Sequence, residues 1–568
     1  MRHSRLFALL CALFATVLAG CNGGGVNLTT SNGAAASSST SSMNLNAEEP
    51  VVEIRSVASA QPGGRRYVLN ISGQTTTGSA YSHSNFVIKG GGLQGISQPP
   101  YGLQQFTYPY MALMAGNIGA NCIRTYGAAL SQQTPEQQKS DFSAALTWAA
   151  TATSNGTPMY VAIGLTMLPS TQLDYTNTNA GSPLLTQRAG IQSLVDEAIA
   201  LDNSRQLLWV IGNELAQSPH ESVRTAVYNE IDVIAQYIKN KGSTLPCMTA
   251  VPAVSVAELK LIAASCTHLD VLGVNDYYGH FGTTAGGGFL NGLNSVMSTS
   301  HGAADGWQKP YIVSEFGSYD VPAVGSMPTA ALPSPPPFTP AGVYGLEACS
   351  TQIAQDYLSN YQSYIQPFTS GGGTCLGSFA YVWENPVFSN NFAYFFEIFV
   401  TSHSETPSYN PPGKLRLQAV DSLISAWGGT SPGTLYPQIA SADGDPQGIQ
   451  CTFKGTQATP FPTAIASGSS QTASITASYA SQLTFYWYLV DDTTNHYNPQ
   501  GYAGTTSTAI GTATTSGPLS AQKSTLTFTA PTTPGNYQLR VVITNEPAPP
   551  DHFGQNTAAT AAILFVVQ

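Results

Sequence analysis

The chain has 568 residues, too many for one ordinary domain, so two are expected, one of them large. Charged residues make up only 9% and the formal net charge is −11, which argues against nucleic acid or an anionic membrane surface as the main partner. Abundant hydroxyl and amide groups, with 28 Tyr and 22 Phe, suit a neutral polar ligand instead.

Arg2, His3 and Arg5 precede the apolar run LFALLCALFATVLAG, and Cys21 follows it. A basic start, a short apolar middle and small residues before the cut describe a signal peptide over residues 1–20. The run is too short to span a bilayer. Leu18-Ala19-Gly20-Cys21 resembles the lipobox of bacterial lipoproteins. That resemblance implies export, acylation of Cys21 and attachment to the cell envelope through an N-terminal lipid. Asn22 at the next position would direct sorting to the outer membrane in a two-membrane bacterium. Residues 21–62 are mostly small and polar, a composition expected of a flexible tether.

From about residue 63 the texture changes. Eight short apolar runs follow: 86–94, 121–127, 158–167, 207–214, 245–252, 269–278, 309–317 and 375–384. Helix-like stretches lie between most of them, at 134–154, 183–202, 218–241 and 345–367, with a last one near 413–427. Continuously apolar strands separated by amphipathic helices imply parallel strands covered on both faces. Eight such units predict a (β/α)8 barrel over residues 63–430, with an open doubly wound sheet as the alternative. A turn-rich linker follows at 431–454. Residues 455–568 read as short alternating strands with Pro and Gly turns, an all-β sandwich of immunoglobulin-like type.

Six cysteines remain beyond the leader, and Cys247 with Cys266 and Cys349 with Cys375 are the local pairings to test for disulfides. No C-x-x-C occurs and the nine His residues form no ligand-spaced cluster, so neither a metal site nor a cofactor is expected. Gly429-Thr-Ser431-Pro-Gly433 matches the G-x-S-x-G pattern of serine esterases, but it follows a helix and Pro432 lacks the N–H an oxyanion hole would use.

In a (β/α)8 barrel the active site lies at the C-terminal ends of the strands. The fourth run ends in Asn213-Glu214 and the seventh in Ser314-Glu315. Two glutamates facing each other across a barrel mouth are what double-displacement glycoside hydrolysis needs, at a carboxyl separation of about 5–5.5 Å. The nucleophile must stay ionised, which favours Glu315 with Arg124 from the second run and Tyr277 from the sixth. The acid must keep its proton, which favours Glu214 behind the apolar Trp209-Val-Ile-Gly212.

Asn-Glu after strand four and Glu after strand seven resemble the signature of clan A glycoside hydrolases. The segments FVIKG, NCIRTYG, IGNEL, LGVNDYYG and YIVSEFG are similar to the family 72 β-1,3-glucanosyltransferases and to family 2 catalytic barrels. The likeness covers the barrel, about two-thirds of the chain. It implies Glu214 as acid/base and Glu315 as nucleophile, with Asn213 on the sugar 2-hydroxyl. Arg124 and Tyr277 would hold the nucleophile, and Trp383 would floor the subsite where the bond is cleaved. The fungal modules of family 72 are not recognisable, the sandwich follows the barrel rather than preceding it as in family 2, and Gly90-Gly91-Gly92 stands after strand one where relatives tend to carry larger residues. The expected partner is a neutral polysaccharide, β-1,3-glucan-like. A non-catalytic carbohydrate-binding lipoprotein, or a mannanase or galactosidase, are the alternatives.

Overall fold

The computed structural model describes residues 49–58, 65–74, 79–93, 118–126, parts of 142–154, 157–201, 204–252, 256–276, 307–317, 349–369, 374–381, 399–401, 414–429, 436–440, 448–453, 464–479, 482–491, 507–515, 521–545 and 557–568. Cys21, Tyr277, Trp383, the aromatic run 388–398 and the proline-rich loop 328–340 lie outside them.

Three antiparallel strands, β1 (Val51–Ala58), β2 (Arg65–Gln74) and β3 (Ala80–His83), come first. β1 falls inside the stretch read as tether; Val52 is buried and Ile54 packs against the core, so this part of the stretch does have apolar surface to bury. The small sheet lies against the N-terminal ends of the barrel strands. Tyr67 Oη donates to Gln308 O (2.7 Å), Tyr81 Oη to Ser204 O (3.1 Å), and the Glu49 carboxylate accepts from Thr244 N (2.9 Å).

The eight apolar runs form eight parallel strands: β4 (Ile88–Leu93), β5 (Cys122–Thr125), β6 (Tyr160–Leu165), β7 (Gln206–Asn213), β8 (Cys247–Pro252), β9 (Val271–Asn275), β10 (Tyr311–Phe316) and β11 (Cys375–Ala380). Each pairs with the next and β11 pairs with β4, closing the barrel. The open-sheet alternative is thereby excluded. Residues along these strands are buried on both faces, which is why the runs carry no polar alternation. The helices α1 (Pro183–Ile199) and α2 (Glu221–Asn240) fall where the periodicity predicts them. Helix α3 (Val256–Ser265) was not expected, because VAELKLIAAS is apolar nearly all round and shows no clear stripe. Further on, α4 (Ser350–Asn360) follows β10 and α5 (Ala419–Trp427) follows β11, and Lys89 Nζ from β4 donates to Trp427 O at the C-terminal end of α5 (2.6 Å).

The C-terminal region is all β. Strands β12 (Gln438–Ile439), β13 (Gln450–Cys451) and β17 (Gln522–Thr529) pair antiparallel with β14 (Ser470–Ser478). The second sheet runs β16 (Ser507–Thr515), β15 (Leu483–Asp491), β18 (Gly535–Thr544), β19 (Ala558–Val567). Phe485, Trp487, Phe528, Leu539 and Phe565 from the two sheets share one core, so the pair is a sandwich. β12 and β13 lie within the segment read as linker.

Neither local disulfide forms: Cys247, Cys266 and Cys375 are free thiols, so Cys247 is not joined to Cys266 nor Cys349 to Cys375. Cys266 Sγ donates to Tyr228 O, and Cys247 opens a barrel strand. Cys349 joins the sandwich core whereas Cys375 belongs to the barrel core. Short sequence separation did not bring Cys349 to Cys375 because the two pack in different cores. Burial pushes the Cys247 and Cys375 thiols up to about 12, so they stay protonated and inert.

Candidate active site

Six residues at or near strand ends converge at the C-terminal mouth of the barrel. Arg124 Nη1 at the end of β5 donates to Glu315 Oε1 (3.1 Å) and to Ser314 O (2.7 Å) on β10. Its Nη2 donates to Asn213 Oδ1 (2.6 Å) at the end of β7. Asn275, the last residue of β9, donates from Nδ2 to Asn213 Oδ1 (3.1 Å) and to Glu214 Oε1 (2.9 Å). Ser314 Oγ in turn donates to Asn275 Oδ1 (2.7 Å). One network therefore ties both glutamates to a single guanidinium. Four of the residues assigned from sequence, Arg124, Asn213, Glu214 and Glu315, are brought together; Tyr277 and Trp383 lie outside the described residues.

Adjacent residues of a regular strand face opposite sides. Asn213 and Glu214 nevertheless both reach the Asn275 side chain. The backbone explains this: φ is +70° at Gly212 and +51° at Glu214, so the chain turns through the left-handed region on either side of Asn213. Ladder pairing shows the same departure, because Met248 and Ala250 of β8 face Val210 and Asn213, two residues against three. A second irregularity lies between β9 and β10, where Val274 faces Val313 but Asn275 faces Glu315. That extra residue lets Ser314 and Glu315 both serve the network. Bulges of this kind re-aim side chains beside functional sites.

The electrostatics of the two carboxylates differ. Arg124 is fully buried and Glu315 is 5% exposed. A charge taken out of water is tolerated only with a close counter-charge and hydrogen bonds, and each supplies these to the other. Tyr126, which follows β5, lies under the guanidinium with its ring 4.3 Å from Arg124 Cζ and its ring edge against Tyr381. Burial holds its phenol well above the usual tyrosine range, with Arg124 pulling the other way and the charge of Glu315 adding to the rise. The phenol therefore stays protonated beside Glu315, and its oxygen accepts from Arg124 Nη1 (3.4 Å). Glu214, by contrast, meets the neutral amide of Asn275. Trp209, invoked from sequence as the apolar wall behind Glu214, points elsewhere: its indole N–H donates to Ser243 Oγ (3.0 Å), which precedes β8.

Two contributors were missed by the sequence reading. Tyr126 stands two residues after Arg124, and strand alternation alone places such a pair on one face. It fits because β4 carries glycine opposite it: a Cβ on Gly92 would lie 2.8 Å from Tyr126 Oη. The three glycines expected after the first strand are in fact inside it. Asn275 is the other, and the sequence signal for it was its place at the end of a barrel strand. Among the described residues no group of three or more His, Cys, Asp or Glu is placed to hold a metal ion.

No known family profile matches the chain, and no curated protein does. Among solved structures, a calcium-binding mutant of β-glucuronidase 2 from Bacteroides uniformis is 13% identical with a TM-score of 0.35, over 89% of this chain and 51% of that one. The exo-β-1,4-mannosidase Op5Man5 from Opitutaceae bacterium strain TAV5 is 12% identical with a TM-score of 0.37, over 66% of this chain and 62% of that one. A glycoside hydrolase family 5 mannosidase from Rhizomucor miehei is 12% identical with a TM-score of 0.34, over 61% of this chain and 92% of that one. The chain thus spans about half the length of the β-glucuronidase it matches.

Proposed function

We propose that the protein is a retaining β-glycoside hydrolase or transglycosylase acting on a neutral polysaccharide, β-1,3-glucan-like. The observation that carries this reading is the pair of strand-end glutamates linked through one arginine yet given unequal partners. Arg124 and Tyr126 favour the ionised form of Glu315, which suits a nucleophile. Arg124 is bonded to Glu315 and reaches Glu214 only through the asparagines, so the proton of the pair is assigned to Glu214.

In the first step a Glu315 oxygen bonds to the anomeric carbon while the glycosidic C–O bond breaks. The leaving oxygen takes the Glu214 proton. In the second step Glu214, now a carboxylate, takes a proton from water or a sugar hydroxyl, and that oxygen displaces Glu315 from the anomeric carbon. Asn213 presents its Oδ1 to Arg124 and Asn275, which leaves its amide N–H groups for a sugar hydroxyl. The chemistry needs no metal or organic cofactor.

The test is a product-length assay on laminarin, β-mannan and β-galactan oligosaccharides. Wild type should shorten one class, or lengthen it if transglycosylation prevails, and Glu315→Gln should lose at least ~10³-fold. Wild type and Glu315→Gln behaving alike on every substrate would refute the reading.

A further inference from the structure

Hydrogen-bond polarity in the mouth of the barrel is fixed from one end. A guanidinium has only donors, so the Asn213 side-chain atom 2.6 Å from Arg124 Nη2 must be the carbonyl oxygen. That oxygen also faces Asn275, so the Asn275 atom 3.1 Å away must be the amide nitrogen. The same nitrogen lies 2.9 Å from Glu214 Oε1, which therefore accepts. At the far side Ser314 Oγ donates to Asn275 Oδ1 and completes the amide's orientation. Asparagine amides can usually be turned over without contradiction; here Arg124 forbids it.

We propose that Asn275 is a positioning residue that decides which oxygen of Glu214 carries the catalytic proton. An oxygen that accepts from Asn275 cannot present a proton in that direction, so the proton is left to Oε2. Asn275 thereby aims the acid without touching the substrate, and it transmits to Glu214 an orientation set by the nucleophile's own partner, Arg124. The assignment rests on the glycosidase reading of this site. It is distinct from simple scaffolding, because Asn275 meets Glu214 through a neutral donor at a point where the backbone holds the carboxyl at φ +51°. The other charged or titratable described residues on neighbouring strand ends are Arg124 on β5, Tyr126 after it, Asp276 after β9, Glu315 on β10 and Tyr381 after β11.

The experiment compares wild type with Asn275→Ala on phenyl and 2,4-dinitrophenyl β-glycosides of the sugar released from the oligosaccharide panel. Departure of phenol needs the acid, whereas departure of dinitrophenolate does not. The expected result is that kcat/KM falls about 100-fold on the phenyl glycoside and about threefold or less on the dinitrophenyl one. Removing the amide donor also disfavours the carboxylate form of Glu214, so the alkaline limb of kcat/KM on the phenyl glycoside should move up by about one pH unit. An equal fall on both glycosides, or no fall on either, overturns the assignment while leaving the glycosidase reading intact. A wild type that turns over no glycoside overturns both. Asn275→Ser serves as the second variant should Asn275→Ala not fold.

Discussion

Arg124 holds a positive charge at full burial, and nearly everything polar in the barrel mouth is oriented by it. It supplies hydrogen bonds to Glu315, to the Ser314 carbonyl and to Asn213, and its flat face lies over Tyr126. A lysine could not fill this role, because a point charge cannot serve Glu315 and Asn213 at once in a planar fork. This much was legible in the sequence: an arginine closing an apolar barrel strand must find a carboxylate. Tyr126 was harder to see because Tyr277 offered the same chemistry on another strand. Its contribution can be measured. The protonated phenol beside Glu315 favours the carboxylate; in Tyr126→Phe that hydroxyl is gone and Glu315 should bind its proton more tightly. Since the nucleophile must be ionised, the acidic limb of kcat/KM should move up by about one pH unit while the alkaline limb stays in place. A pH profile of the variant checks this, and an unmoved acidic limb would remove Tyr126 from the site.

At the scale of the element, the eight strands were readable because burial on both faces leaves an apolar run with no alternation. Their irregularities were not. Nothing in IGNEL announces that Glu214 sits at positive φ, since the usual marker there is glycine and the sequence offers it only at Gly212. Ladder slips between β7 and β8 and between β9 and β10 are likewise set by packing around the ring rather than by any residue type. They are what bring Asn213, Glu214, Ser314 and Glu315 into one network, so the least legible part of the barrel shapes the part that reacts. Left-handed backbone costs a non-glycine residue roughly 1–2 kcal/mol. Two variants that both delete the carboxylate isolate this cost. Glu214→Gly should be more stable than Glu214→Ala by about 1–2 kcal/mol in urea unfolding, the reverse of the order found in a regular strand. Equal stabilities, or alanine ahead, would show that this turn is not strained.

The whole molecule joins the sandwich to the mouth of the barrel through helix α4. At its start, Ser350 Oγ accepts from Thr560 N (2.9 Å) and Thr351 Oγ1 from Ile439 N (3.0 Å), while Cys349 lies in the sandwich core. Further along, Phe316 of β10 packs edge-on against Tyr357, whose hydroxyl donates to Tyr381 O, and Asn360 Nδ2 donates to Gly317 O (2.8 Å). The same helix therefore touches the sandwich at one end and the strand end bearing Glu315 at the other. A second seam explains why the aromatic triplet Tyr486-Trp487-Tyr488 alternates in face but not in burial. Trp487 fills the sandwich core, but Tyr488 is buried too, under Leu417 from the segment leading into α5. With polar contacts at the first seam and apolar packing at both, the two units should unfold together, and calorimetry of the full chain should show one transition. Tyr488→Ala opens the second seam at a cost of about 3 kcal/mol, comparable to an aromatic truncation in a core. It should lower that transition or split it. Two well-separated transitions already in wild type, with the barrel's transition unmoved in Tyr488→Ala, would show that the sandwich is a passenger and does not brace the barrel.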